Sequence, residues 1–279
     1  MKRVAVLSDV HGNAPALEAV LAEVEQAEAD LIVFGGDLTW GPLPDETFEL
    51  VRGLGARFVR GNADRAVLEN VSETEREQWM QAHHTDEMRE LLASFEEQVV
   101  VEVDGLGPVR FCHGSPRTDE ECVTPETPEE RVLEFSEGVA ERVIVTAHVH
   151  IQFDREVAGI RSVNAGSVGL PYEGRPGAYW ALLGPDVELH RTEYDLDATI
   201  ERYRRSGQGR LRRLGASPRS AARLRGSTAS GSPSSIRTTT SSSRHCGRRS
   251  PGVRTSTGRY ARTAASSSTS RPISRVSGT

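Results

Sequence analysis

The stretch Leu7-Ser8-Asp9-Val10-His11-Gly12-Asn13 comes directly after the apolar run Val4-Ala5-Val6-Leu7. A run that short, apolar at every position and rich in β-branched residues, reads as a buried strand of a parallel sheet. In open α/β sheets, ligands bind beyond the carboxyl ends of such strands. Asp9 and His11 therefore stand where a site is expected. Taken alone, the segment is explained as well by Asp9 capping the next helix and His11 lying in a loop.

The same grammar recurs downstream. Leu31-Ile32-Val33-Phe34 is a second apolar run, ended by Gly35-Gly36-Asp37. Ala56 to Val59 is a third, ended by Arg60-Gly61-Asn62-Ala63-Asp64. Residues 14–28, with Pro15 near the first turn, and residues 45–53 carry helical spacing between these runs. This β-α-β-α-β order predicts a parallel sheet covered by helices. Residues 72–95 read as helical, opened by a capping box at Ser72 and Glu75. Strands at 98–103 and 108–112 flank the turn signal Asp104-Gly105-Leu106-Gly107. Residues 143–146 form another buried run. Hairpins are expected at 151–157 with 160–164 and at 179–183 with 187–191, and a helix from Asp197 to Arg205. A βαβ first half and a hairpin-rich second half predict an α/β protein with two sheets face to face and helices outside.

Charge divides the chain. Residues 1–200 carry 39 acids against 16 basic side chains, whereas residues 201–279 carry Glu201 and 18 arginines. A domain is expected over residues 1–206, long enough to bury a normal core. Residues 207–279, rich in Arg, Ser, Thr, Gly, Pro and Ala, are expected to stay unfolded. With Lys2 the single lysine of the chain, that composition matches out-of-frame translation of GC-rich DNA; a solvated linker and a basic arm for nucleic acid are the alternatives. The cysteines at 112, 122 and 246 include no CxxC pair, which suggests no structural zinc site. Too few apolar residues precede Ser8 for a signal peptide, and no stretch approaches a membrane span, so a soluble cytoplasmic protein without membrane partners is expected.

The residues that end the apolar runs are Asp9 and His11, then Asp37, Asn62, His113, and finally His148 and His150. Strand ends of a sheet converge along one edge, so these oxygen and imidazole donors can share a pocket. Such a donor set suits divalent first-row metals without thiolate. Two such ions about 3.5–4 Å apart clamp a phosphoryl group and acidify a water between them.

In order and spacing, the blocks Asp9-Val10-His11-Gly12-Asn13, Gly36-Asp37, Gly61-Asn62-Ala63-Asp64, His113-Gly114 and Ala147-His148-Val149-His150 resemble the calcineurin-like metallophosphoesterase superfamily. Asn164-Ala165-Gly166-Ser167-Val168-Gly169 is similar to a segment of its small prokaryotic phosphodiesterase branch. The resemblance implies a four-layer sandwich of two mixed β-sheets flanked by helices. It also implies Asp9, His11 and His150 on one ion, Asn62, His113 and His148 on the other, and Asp37 bridging. The ions are Mn, Fe, Ni, Co or Zn, and a hydroxide bound by both would attack in line, with Asn62, His113 and His148 also positioning phosphate or water.

Many members carry a histidine after the Asn, where it protonates the leaving oxygen; this chain has Ala63. Since general-acid help is worth about 10²–10⁴ in rate, its loss favours phosphodiesters or aryl esters. His83 and His84 are candidate substitutes, with a solvated helix face as the alternative. Asn13 and Arg117 are candidate substrate contacts, against a helix cap and a surface ion pair respectively. Asp64 is a candidate support for a ligand, and Trp40 a candidate wall of the pocket mouth. Phosphomonoester or nucleotide pyrophosphate hydrolysis, and a non-catalytic scaffold on the same fold, are the competing readings.

Overall fold

Strand β1 (Val4–Leu7) is buried along its whole length, and its alternation defines the layers. Val4 and Val6 pack with Val33, Val101, Phe111, Val145 and Leu183. Ala5 and Leu7 point the other way, into a cluster with Leu17, Val20, Val51 and Trp180. Successive side chains of a strand face opposite sides, so a run apolar at every position needs cover on both.

That cover makes four layers. The structure, a computed structural model, describes residues 1–206. The first sheet joins β1, β2 (Leu31–Phe34), β3 (Arg57–Phe58), β9 (Ala178–Leu183) and β10 (Val187–Thr192) in the order β10-β9-β1-β2-β3. Here β1, β2 and β3 run parallel, while β9 and β10 close the sheet antiparallel. The second sheet has β4 (Gln98–Val103), β5 (Gly107–Cys112), β6 (Val143–Thr146), β7 (Phe153–Val157) and β8 (Ile160–Asn164) in the order β4-β5-β6-β8-β7. In it β5, β6 and β8 run parallel, with β4 and β7 antiparallel at the edges.

A valine-rich cluster fills the space between the sheets. Helix α1 (Ala14–Gln26) and α2 (Pro44–Val51) bury their apolar faces on the outer side of the first sheet. Helix α6 (Glu129–Phe135) buries Val132 and Phe135 against Ile144 and Ile160 on the outer side of the second. Each fully buried Val, Leu or Phe contributes about 1.5–3 kcal/mol. This is the α/β sandwich of two mixed sheets expected from the sequence.

The helices depart from expectation in three places. The helical stretch 72–95 is divided into α4 (Glu75–Ala82) and α5 (Asp86–Ala93), a break the periodicity does not show. The break has a chemical cause: the rings of His83 and His84 bond back to the carbonyls of Trp79 and Met80, and the Thr85 hydroxyl caps α5 by accepting the Met88 N–H. The capping box sits at Thr74 and Glu77, two residues past the expected pair, with Glu77 accepting the N–H of Thr74 and of Glu73. The periodicity did not reveal α3 (Asn62–Leu68) or α6, because seven residues make barely two turns. The helix at the end of the described chain, α7 (Leu196–Arg205), matches its expected span to one residue. The reading of residues 207–279 as a basic tail lies outside the described residues. Among the described residues, no helix is long and apolar enough to cross a membrane.

Candidate metal centre

Six strands run parallel within their sheets, and the polar blocks lie just past their carboxyl ends: β1 and Asp9, β2 and Asp37, β3 and Asn62, β5 and His113, β6 and His148, β8 and Ser167. Bonds between the sheets bring these ends to one place. His113 donates from Nδ1 to Gly35 O across 2.8 Å. The Ser8 hydroxyl donates to Gly166 O at 2.8 Å, and the Ser167 hydroxyl to Asp9 O at 2.7 Å. Val168 N–H meets Ser8 O at 2.9 Å.

Two groups of ligand-type side chains result. Asp9, His11 and His150 form one, and Asp37, His113 and His148 the other, each with its donor atoms within 4.8 Å of one another. Asp37 spans them: Oδ1 lies 3.5 Å from His113 Nε2, and Oδ2 lies 3.5 Å from His11 Nε2. The Asn62 amide oxygen stands 3.0 Å from His113 Nε2.

The backbone is strained to achieve this. Asp9, His11, Asp37, His148 and His150 have φ of 52°, 47°, 55°, 67° and 59°. The left-handed region is uncommon for non-glycine residues and costs about 1–3 kcal/mol each time. Five such residues among the seven expected ligands is a concentration that chain folding alone gives no reason for.

His11 Nδ1 is held by Trp40 O at 3.2 Å, and His150 Nδ1 by Leu170 O at 2.6 Å. With their protons on Nδ1, both rings turn an Nε2 lone pair inward, and the two Nε2 atoms lie 3.2 Å apart. Asp9 Oδ1 is buried without a hydrogen-bond partner and faces His150 Nε2 at 3.1 Å. His113 Nε2 likewise faces an amide oxygen. Lone pairs converging on one volume repel unless a positive charge lies among them, so the donor set fits a pair of divalent cations.

Burial and the two carboxylates divide the four imidazoles. Burial lowers His113 and His150, yet the carboxylates of Asp37 and Asp9 outweigh it and hold both above the ordinary imidazole value. Burial dominates at His11 and His148, which lie below it. Burial pushes Asp9 up, but the imidazoles of His150, His113 and His11 together hold it well below the carboxylate range.

Asp64 organises the centre without entering it. This buried carboxylate accepts the N–H of Asp37 at 2.8 Å, of Leu38 at 3.0 Å and of Gly61 at 2.9 Å. It thereby ties the loop after β2 to the loop after β3. Burial and the Asp37 charge push it up to about 7, against the bonds from Gly61 and Leu38. Gly36, at φ 102°, has no room for a side chain: a Cβ there would lie 2.6 Å from His113 Nδ1 and 2.7 Å from Gly61 N.

The candidate substrate contacts fare differently from the ligand set. Asn13 caps α1 by accepting the Ala16 N–H, and its amide donates to Gly169 O and to the Tyr194 hydroxyl. No donor is left over for a phosphate. Arg117 is paired with Glu121 and Glu134 on the surface. It also lines a cleft of about 230 Å³ beside His113, together with Arg60, Arg65 and Ser115. His84 is buried instead of facing solvent, its Nε2 bonded to Thr39 Oγ1 at 2.9 Å. His83 stacks on Trp79. Neither imidazole belongs to the two ligand groups. Trp40 packs against the core beneath the first sheet and supplies its carbonyl to His11.

Three residues near the centre escaped the sequence reading. Ser8 and Ser167 are small and polar at strand ends, a signal shared with any turn. Tyr172 stands in the loop Leu170-Pro171-Tyr172-Glu173-Gly174, and its ring stacks on His150. A lone aromatic in a Pro- and Gly-rich loop was the available clue.

Fold and site together define an α/β sandwich of two mixed sheets with ligand-type side chains clustered at the strand ends. Residues 1–184 match the model of the calcineurin-like phosphoesterase superfamily domain, and the chain belongs to that superfamily. The protein MJ0912 of Methanocaldococcus jannaschii is 27% identical over 228 residues, covering 71% of this chain and 90% of that protein. A metallophosphoesterase of Sphaerobacter thermophilus is similar in structure, with a TM-score of 0.60, 28% identity, and 74% of this chain and 94% of that one covered. The fold is shared with PH1004 of Pyrococcus horikoshii OT3, at a TM-score of 0.65 and 22% identity over 77% of this chain and 95% of that one.

Proposed function

We propose that this protein is a phosphodiesterase, with Asp9, His11 and His150 holding one divalent cation, Asn62, His113 and His148 a second, and Asp37 shared between them. The observation that carries this reading is the placement of the Asp37 carboxylate, one oxygen toward each group of imidazoles at 3.5 Å. The cations would supply charge to offset the phosphoryl oxygens and acidify a water for attack.

The chain's own residues set the rest. Carbonyls of Trp40, Leu170 and Gly35 fix the Nδ1 protons and aim each Nε2 inward. Asn62 turns its oxygen to His113, which leaves the amide N–H groups to steady a phosphate oxygen. Nothing at position 63 protonates a leaving group: Ala63 is buried and its N–H is spent on Asp37 Oδ1 at 2.8 Å. His84 is held by Thr39 and Met80. Substrates with good leaving groups are favoured, which supports diesters and aryl esters over phosphoserine.

Metal-stripped protein reloaded with Mn, Ni, Co or Zn tests this directly. Bis(4-nitrophenyl) phosphate is expected to be turned over faster than 4-nitrophenyl phosphate, and Asn62→Ala to lose about 10²-fold or more. Protein that takes up no metal would end the proposal. Dominant turnover of a phosphoserine peptide would overturn the argument from Ala63.

A further inference from the structure

Tyr172 is 61% exposed, yet it is not loose. Its N–H bonds His150 O at 3.0 Å, and the preceding Leu170 O takes the His150 Nδ1 proton. Leu170 N–H is held by the Ser167 hydroxyl at 2.8 Å, and the Glu173 carboxylate by Gln152 N–H at 2.6 Å. The ring lies 4.8 Å from the His150 ring, tilted by 22°. Next in line is His11, whose ring centroid is 4.9 Å from that of His150. The loop thus fixes a large aromatic face in solvent, at the edge of one ligand group, where burial contributes little.

We infer that Tyr172 is a specificity-determining residue, the stacking platform for an aromatic ester group on the substrate. This rests on the phosphoesterase reading and narrows its substrate class to diesters carrying an aryl group or a nucleobase. An aromatic ring of the substrate bound beside His150 packs against the exposed Tyr172 ring, a contact worth about 3- to 10-fold in affinity. The platform also complements the missing acid at position 63, since an aryl leaving group departs without a proton.

Phosphonates separate this role from the chemistry, because their P–C bond is not hydrolysed. Binding of phenylphosphonate and methylphosphonate to the metal-reloaded full chain is measured by calorimetry. The expected result is phenyl tighter than methyl by about 3- to 10-fold in the native protein and in Tyr172→Phe, falling to within about twofold in Tyr172→Ala. An unchanged ratio in Tyr172→Ala overturns the inference. So does an equal weakening of both ligands, which would make Tyr172 only a support for His150. Failure of both phosphonates to bind the native protein rejects the phosphoesterase reading itself, and this inference with it.

Discussion

Asp64 shows how one carboxylate can shape a site it does not enter. It holds the backbone N–H groups of Asp37, Leu38 and Gly61, three donors from two loops. An amide in its place has one acceptor oxygen, and its NH₂ would face a backbone donor. Leaving a buried donor unsatisfied costs about 1–3 kcal/mol. Asp64→Asn is therefore expected to lose about 2–3 kcal/mol in denaturant unfolding and to bind less metal after reloading. A variant within about 0.5 kcal/mol of the native protein would refute this role. At this scale the sequence was most legible where chemistry is carried by residue type. An Asp, Asn or His directly after a buried strand announces itself, and the structure brings Asp9, His11, Asp37, Asn62, His113, His148 and His150 together. Tyr172 and the second acceptor duty of Asp64 were not legible, because each depends on a partner some 20 or more residues away.

Among the elements, strands were easier to read than helices. Most strands here are short apolar or alternating runs, and burial on one or both faces fixes their extent. The helices between Asn62 and Ala93 are three short pieces whose ends are set by side chains bonding to backbone, a local competition that a periodic pattern does not report. His84 is the clearest case. It ends α4 by bonding Met80 O and then reaches Thr39, two residues past Asp37, so it docks the α4–α5 corner on the loop beside the candidate metal centre. Burial lowers this imidazole from its ordinary value of 6.5. A histidine whose folded value is depressed gives its full stabilisation above the unfolded value, and loses it as the pH falls below that. His84→Leu is expected to cost about 1–3 kcal/mol at pH 8, from the buried Thr39 hydroxyl left without its partner. That cost should shrink as the pH is lowered below 6.5. Unfolding curves of the two proteins from pH 8 to 5 measure the difference, in which the other histidines cancel. A cost that grows on acidification would show instead that His84 is held protonated.

On the scale of the molecule, the site is a property of the sandwich and belongs to neither sheet. The first sheet supplies Asp9, His11, Asp37 and Asn62, and the second His113, His148 and His150. The unfolded chain has no such site, so cation binding and sheet packing must share free energy. Phe111 makes this measurable. It is 1% exposed in the cluster between the sheets and is not among the ligand-type residues, although His113 stands only two positions later. Phe111→Ala is expected to cost about 3–5 kcal/mol in metal-free protein. Metal at a hundred times its dissociation constant returns about 2.7 kcal/mol to any chain that still assembles the site. The prediction is thus a partial rescue: Phe111→Ala recovers much of its lost stability in the presence of metal, whereas Asp37→Asn gains little, since its shared ligand is impaired. Calorimetric or denaturant unfolding of both variants, with and without metal, decides it. Equal gains in the two would mean that the cations bind somewhere other than the strand ends where the sheets meet.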